Sequence, residues 1–118
     1  MVILHCMKEC EWNKRRYKKF YGEQYIESCG FIDCSEIGVV HDIAWRFLDI
    51  PDPLIFLCID TNKVHPEIKW DNDGRADSPR IYGPLNTDSV IDVLPFLKDK
   101  NNNFILNREL GQYIGHKL

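Results

Sequence analysis

Gly30-Phe31-Ile32-Asp33-Cys34-Ser35 reads as a short strand that carries one acid and ends at a helix cap. The glycine opens the strand, Phe31 and Ile32 have strand-forming side chains, and the Ser35 hydroxyl can accept from the first free N–H groups of the next element. Asp33 is thereby held between two apolar elements, where a carboxylate is costly unless it is paired or partly wet. It is either a structural acceptor or part of a site, and polar groups at strand ends more often satisfy backbone.

Downstream of this strand, Ile37, Val40, Ala44, Phe47 and Leu48 recur at helical spacing. Ile43 and Trp45 widen the stripe, and Asp42 and Arg46 stand opposite it. The spacing predicts a helix from about Glu36 to Asp49, with His41 packing at its edge beside Trp45, stopped by Pro51 and Pro53. Leu54 to Ile59 is a continuous apolar run, the pattern of a strand covered on both faces, and Asp60-Thr61-Asn62 closes it with turn chemistry. Upstream, Val2 to Cys6 suits a buried first strand with His5 near its end. Glu9 to Phe20 reads as a basic helix in which Trp12, Phe20, Tyr17 and Cys10 share one arc and Lys14, Arg15, Lys18 and Lys19 cover the other. Tyr21-Gly22 ends that helix.

Toward the C-terminus the elements shorten. Glu67 to Trp70 reads as a half-exposed strand, followed by a polar loop to Pro79. Its Asp71-Asn72-Asp73-Gly74 is not a calcium loop, because the EF-hand pattern needs an acid where Lys69 stands. Ile81 to Leu85 is a brief strand and turn, Ser89 to Phe96 another strand, Phe104 to Leu106 an edge strand, and Arg108 to Ile114 a short helix. The expected architecture is α+β, with small mixed or antiparallel sheets and two helices in the N-terminal half. Phe31, Ile43, Phe47, Phe56, Leu57 and Ile59 are its expected core.

A chain of 118 residues, 44% apolar and 28% charged, is sized for one domain spanning residues 1–118. The formal charge of −3 argues against a wholesale polyanion binder, although Lys8 to Lys19 concentrates cations. The five cysteines include no C-x-x-C pair and no secretory signal precedes them, so reduced thiols in the cytoplasm are expected. The longest apolar run, residues 53–59, is far short of the ~20 residues of a membrane helix, so no membrane partner is expected. The His and Cys spacings match no zinc knuckle, and no metal is expected. No dinucleotide, Walker, nucleophile-elbow or zincin motif occurs.

The order Ile3-Leu4-His5, Trp12, Tyr21, Gly30-Phe31-Ile32-Asp33-Cys34-Ser35, Trp70 and Ile81-Tyr82-Gly83-Pro84-Leu85 resembles the bacterial family catalogued as domain of unknown function 952. The resemblance runs over about residues 2–107 and leaves 108–118 as a short C-terminal extension. It implies an ADP-ribosyltransferase-like fold, in which two small sheets flank a cleft that holds NAD in active members. Where the family pattern has histidine, this chain has Asp33 and Arg80, whereas His5 and Tyr82 match.

Carried onto these positions, the resemblance implies His5, Asp33 and Tyr82 as catalytic residues. His5 and Ser35 would hold ribose, Arg80 the pyrophosphate, and Tyr82 or Trp70 the nicotinamide ring, while no transferase glutamate is singled out and Glu67 is one candidate. The implied activity is binding of NAD or another ADP-ribose-like nucleotide, with ADP-ribosyl transfer as its reaction. The alternative is a non-catalytic module binding a nucleotide, RNA or protein. A third class, nucleic-acid binding through the basic first helix, would differ by a steep loss of affinity with salt.

Overall fold

The run Leu54 to Asp60 (β5) is the central strand, and its six residues from Leu54 to Ile59 are all buried. Val2–Lys8 (β1) pairs with it antiparallel from Val2↔Asp60 to Lys8↔Leu54. The computed structural model describes residues 1–71 and 78–114. Along the chain β1 is followed by α1 (Glu9–Arg15), β2 (Phe20–Tyr21), α2 (Glu23–Cys29), β3 (Ile32–Asp33) and β4 (Ser35–Glu36). A helical segment then runs as a 3₁₀ turn (Ile37–Val39), α3 (Val40–Ile43) and a second 3₁₀ turn (Ala44–Phe47). After β5 come β6 (Ile68–Asp71), β7 (Ser78–Ile81), β8 (Leu85–Asn86), β9 (Val90–Pro95), β10 (Leu97–Lys98), β11 (Phe104–Ile105) and a 3₁₀ helix (Arg108–Tyr113).

These strands form a four-stranded sheet in the order β4-β1-β5-β9 and a three-stranded sheet in the order β3-β7-β6. Two strand pairs, β2-β8 and β10-β11, complete an α+β fold of small antiparallel sheets. Side chains alternate across β1 and β5, so the large sheet has a separate apolar cluster on each face. Ile3, Met7, Ile55, Leu57 and Ile59 pack on one side with Trp12, Tyr21, Ile32 and Ile81. Leu4, Leu54, Phe56 and Cys58 pack on the other with Val40, Ala44, Phe96 and Leu110. Of the six expected core residues, Phe56, Leu57 and Ile59 are fully buried, while Phe31, Ile43 and Phe47 are half-buried at the margin.

Several local expectations are corrected. Gly30 does not open a strand: at φ 89° it closes α2, its N–H donating to Ile26 O at 3.0 Å and Tyr25 O at 3.1 Å, a left-handed stop that glycine adopts freely. Its counterpart Gly22, φ 95°, starts α2 where a Cβ would collide with Ile32 Cδ1, so two glycines bracket a helix that the hydrophobic pattern does not announce. Ser35 is not a cap but a buried residue of β4, paired with Leu4.

The expected helix from Glu36 to Asp49 is instead a chain of short turns, because Gly38 and the β-branched Ile37, Val39, Val40 and Ile43 carry low helix propensity. Ile37, Val40 and Ala44 still face the core, but Trp45 is 65% exposed and His41 packs edge-on against Phe104 instead. The basic helix likewise ends at Arg15, so only Trp12 of its expected inner arc is buried. Most of Asp71-Asn72-Asp73-Gly74 lies outside the described residues.

Candidate functional site

β4 accompanies β1 only at Ile3 and Leu4. Beyond that point the chain diverges, and the outer edge of β1 forms the floor of a cleft of about 240 Å³, with Leu4, His5 and Cys6 along it. Tyr25 and Cys29 of α2 make one wall, Phe31 and Asp33 a second, and Ile43, Arg46 and Phe47 of the broken helical segment a third. A strand that loses its neighbour and a helix that breaks into turns together open this space.

His5 ties the floor to the wall. Its Nδ1 lies 2.8 Å from the Asp33 carbonyl oxygen, and a carbonyl only accepts, so Nδ1 carries the proton. Burial lowers the His5 pKa, outweighing the opposing effects of that hydrogen bond and of the Asp33 charge, so the ring is neutral. Nε2 is then an acceptor and receives a hydrogen bond from the Tyr21 hydroxyl at 3.2 Å. Tyr21 keeps that proton firmly, because burial and the Tyr25 hydroxyl beside it raise its pKa. The Tyr21 and Tyr25 rings pack against the imidazole at 5.7 and 5.5 Å.

Both histidine nitrogens are therefore engaged, and the effect is to hold the Asp33 backbone against β1. The Asp33 carboxylate itself is half exposed. Ser78 Oγ donates to its Oδ1 at 3.3 Å, and Arg46 Nη1 lies 3.8 Å from its Oδ2. Ser35, 5% exposed and lining the same cleft, has an Oγ with no hydrogen-bond partner among the described residues. Two of the cleft thiols, Cys6 and Cys34, are inert at neutral pH: desolvation pushes Cys6 up to about 12 and raises Cys34 further, the nearby Asp33 charge adding to the latter. Among the described residues no three His, Cys, Asp or Glu side chains gather to hold a metal.

Of the six residues named from sequence, the structure brings His5, Asp33 and Ser35 to one cleft. Arg80 is the register partner of Asp33, but its guanidinium lies over the Phe31 ring at 4.4 Å. Tyr82 also packs on Phe31, at 5.7 Å, with the Lys69 ammonium 5.1 Å from its own ring centre. Phe31 thus separates Arg80 and Tyr82 from the cleft. Trp70 pairs with Pro79, which by strand alternation places it on the opposite face of the small sheet from Lys69 and Arg80. Glu67 sits by Lys69 at 3.4 Å, away from the cleft lining. Sequence reasoning missed Arg46, Tyr25 and Ser78. Arg46 was legible only as a charge opposite an apolar stripe, and Tyr25 had its signal in the two glycines bracketing α2.

Fold and cleft define a small α+β protein with a largely apolar, carboxylate-bearing cleft at the β1 edge of its main sheet. The chain belongs to the family described as protein of unknown function DUF952, whose model matches residues 6–93. No curated protein matches it in sequence. Its fold is similar to the crystal structure of protein CC0527 from Caulobacter crescentus, at TM-score 0.79 and 20% identity, covering 94% of this chain and 99% of that one. A double mutant of that protein gives the same figures, and its solution NMR structure matches at TM-score 0.70 and 19% identity, covering 98% of each chain. Among the described residues no helix is long and apolar enough to cross a membrane.

Proposed function

We propose that the cleft binds NAD or a related ADP-ribose-bearing nucleotide, on a fold of the ADP-ribosyltransferase-like kind. The observation that carries this is the buried, unpartnered Ser35 hydroxyl beside the Asp33 carboxylate and the Arg46 guanidinium. A buried polar atom without a partner costs folding energy, and a ligand hydroxyl would relieve it. Ser35 and Asp33 suit ribose hydroxyls, Arg46 suits a phosphate, and the Phe31 and Tyr25 rings suit a flat base.

Size refines the reading. About 240 Å³ falls below the roughly 300–1,000 Å³ of pockets that enclose a whole ligand, so one ring-and-ribose half enters and the pyrophosphate rests at the mouth by Arg46. In this arrangement Arg46 takes the phosphate role that the family resemblance implies for Arg80, while Arg80 and Tyr82 brace Phe31. Binding without transfer is the better-supported form: both His5 nitrogens are occupied, the Cys6 and Cys34 thiols stay protonated, and no glutamate lines the cleft among the described residues.

Calorimetry and melting curves with NAD, ADP-ribose, AMP and nicotinamide test this. NAD and ADP-ribose should raise the melting temperature, and at a hundredfold excess over Kd the stabilisation is about 2.7 kcal/mol. Ser35→Ala should leave the free protein as stable or more so while weakening both nucleotides. Release of free nicotinamide on incubation would establish turnover, and no shift with any of the four ligands would end the proposal.

A further inference from the structure

The cleft leaves the most concentrated charge of the molecule unexplained. Lys14-Arg15-Arg16-Tyr17-Lys18-Lys19-Phe20 places five cations and two aromatic rings in seven residues of a chain with formal charge −3. A continuous helix would have turned both rings inward with Trp12. Because α1 ends at Arg15, Tyr17 is 86% exposed and Phe20 49% exposed, so neither is fully absorbed by the core.

The segment is held in shape by its backbone. Arg16 N–H donates to Trp12 O at 2.8 Å and Lys18 N–H to Arg15 O at 3.0 Å. The Thr87 hydroxyl donates to Lys18 O at 2.6 Å and the Thr87 N–H to Lys19 O at 2.9 Å, after which β2 pairs with β8. Glu11 lies near Lys14 at 3.9 Å and Arg15 at 3.6 Å, but Arg16, Lys18 and Lys19 form no ion pair among the described residues. The Arg16 guanidinium is 5.3 Å from the Tyr17 ring centre. Beside the turn is a hollow of about 160 Å³ walled by Arg15, Lys18, Phe20 and Gln24, with the Glu23 carboxylate at its side.

We infer that this turn is a binding surface for single-stranded nucleic acid. Arg16, Lys18 and Lys19 meet successive phosphates, and Tyr17 and Phe20 are stacking platforms for bases, the combination by which single strands are bound without a sequence code. The hollow beside Phe20 accepts one base, with the Gln24 amide at its edge. A duplex is disfavoured because the patch is a tight turn with protruding rings, not a helix or ribbon that fits a groove. A lipid surface is disfavoured because α1 ends at Arg15 and the segment beyond it is a tight turn, not an amphipathic helix that could lie along the interface. The surface is separate from the Asp33 cleft and stands whether or not that cleft takes a nucleotide.

Fluorescence anisotropy of the full chain with a labelled short oligouridylate, between about 50 and 200 mM potassium chloride, tests the inference. Affinity should fall linearly with salt on a log–log plot, and Arg16→Ala/Lys18→Ala/Lys19→Ala should reduce that slope by about 2. Tyr17→Ala should weaken binding roughly 5- to 150-fold at unchanged slope, and Tyr17→Trp should retain it. These side chains are exposed, so melting curves of the variants should overlay the wild type. Failure to bind at the lowest salt, or a slope indifferent to the triple substitution, overturns the inference. So does retention on phosphatidylserine vesicles that needs the three cations while the oligonucleotide stays unbound.

Discussion

On the face of the β1–β5 ladder that holds Phe56, the neighbours are rings: Phe96 at 5.3 Å and Phe104 at 6.4 Å, with Phe47 reaching Phe96 at 6.2 Å. The opposite face is lined by Ile3, Leu57 and Ile59 but also carries His5, buried and hydrogen-bonded at both ring nitrogens. The first face is held by non-directional contacts, which depend on area and fit. The second depends on geometry, because each partner in the His5 chain must keep its donor or acceptor role. The difference teaches where precision is placed in this molecule: the directional face is the one that fixes Asp33 at the cleft.

The largest expected effect is on the dry face. Phe56→Ala removes a fully buried ring that two other rings pack against, and should cost about 3 to 5 kcal/mol in denaturant unfolding. Phe47→Ala, at a half-buried position, should cost clearly less. Equal losses at the two sites would break the picture of a core centred on β5.

On the directional face, Tyr21→Phe keeps the ring and deletes one hydroxyl. It leaves His5 Nε2 as a buried acceptor without its donor, for which about 1 to 3 kcal/mol of stability is expected to be lost. A loss near zero would show that the hydroxyl does not define the histidine tautomer.

Proton linkage separates the faces further. The His5 pKa is lowered on folding, so below its ordinary value of 6.5 the unfolded chain binds more protons than the native one. The contribution of neutral His5 is fully present above pH 6.5 and is lost as pH falls toward the folded pKa, by at most about 1.4 kcal/mol per pH unit. Denaturation midpoints at about pH 7.5 and about pH 5.5 should show this slope in wild type and in Phe56→Ala alike, and His5→Gln should flatten it. A slope surviving in His5→Gln would assign it elsewhere.

The smallest stability effect belongs to the cleft mouth. Asp33 and Arg46 are about half exposed, so Asp33→Asn should change stability by less than about 1 kcal/mol. If the same substitution leaves NAD affinity unchanged, the carboxylate has no part in the proposed site.

By itself, the sequence determined the elements whose pattern needs no partner to read. The six-residue apolar run of β5 between Pro53 and Asp60 reads as a doubly covered strand from its length and flanks, the Asp60-Thr61-Asn62 turn follows from an aspartate that accepts from Asn62 N–H at 3.0 Å, and the short C-terminal elements follow from their turn residues. His5, Asp33 and Ser35 were also legible as cleft candidates, because the motifs resembling those of the family carry them. Tertiary structure decided the rest. Only register shows that Arg80 faces Asp33 yet lies over Phe31, and that Trp70 is on the other side of its sheet. Only the divergence of β4 from β1 and the breaking of the 37–47 segment bring Arg46 to Asp33, thirteen positions apart in the chain. The reason is physical: periodicity records which face of an element is apolar, whereas the partner of a polar side chain is set by where neighbouring elements end, and that depends on contacts distant in sequence.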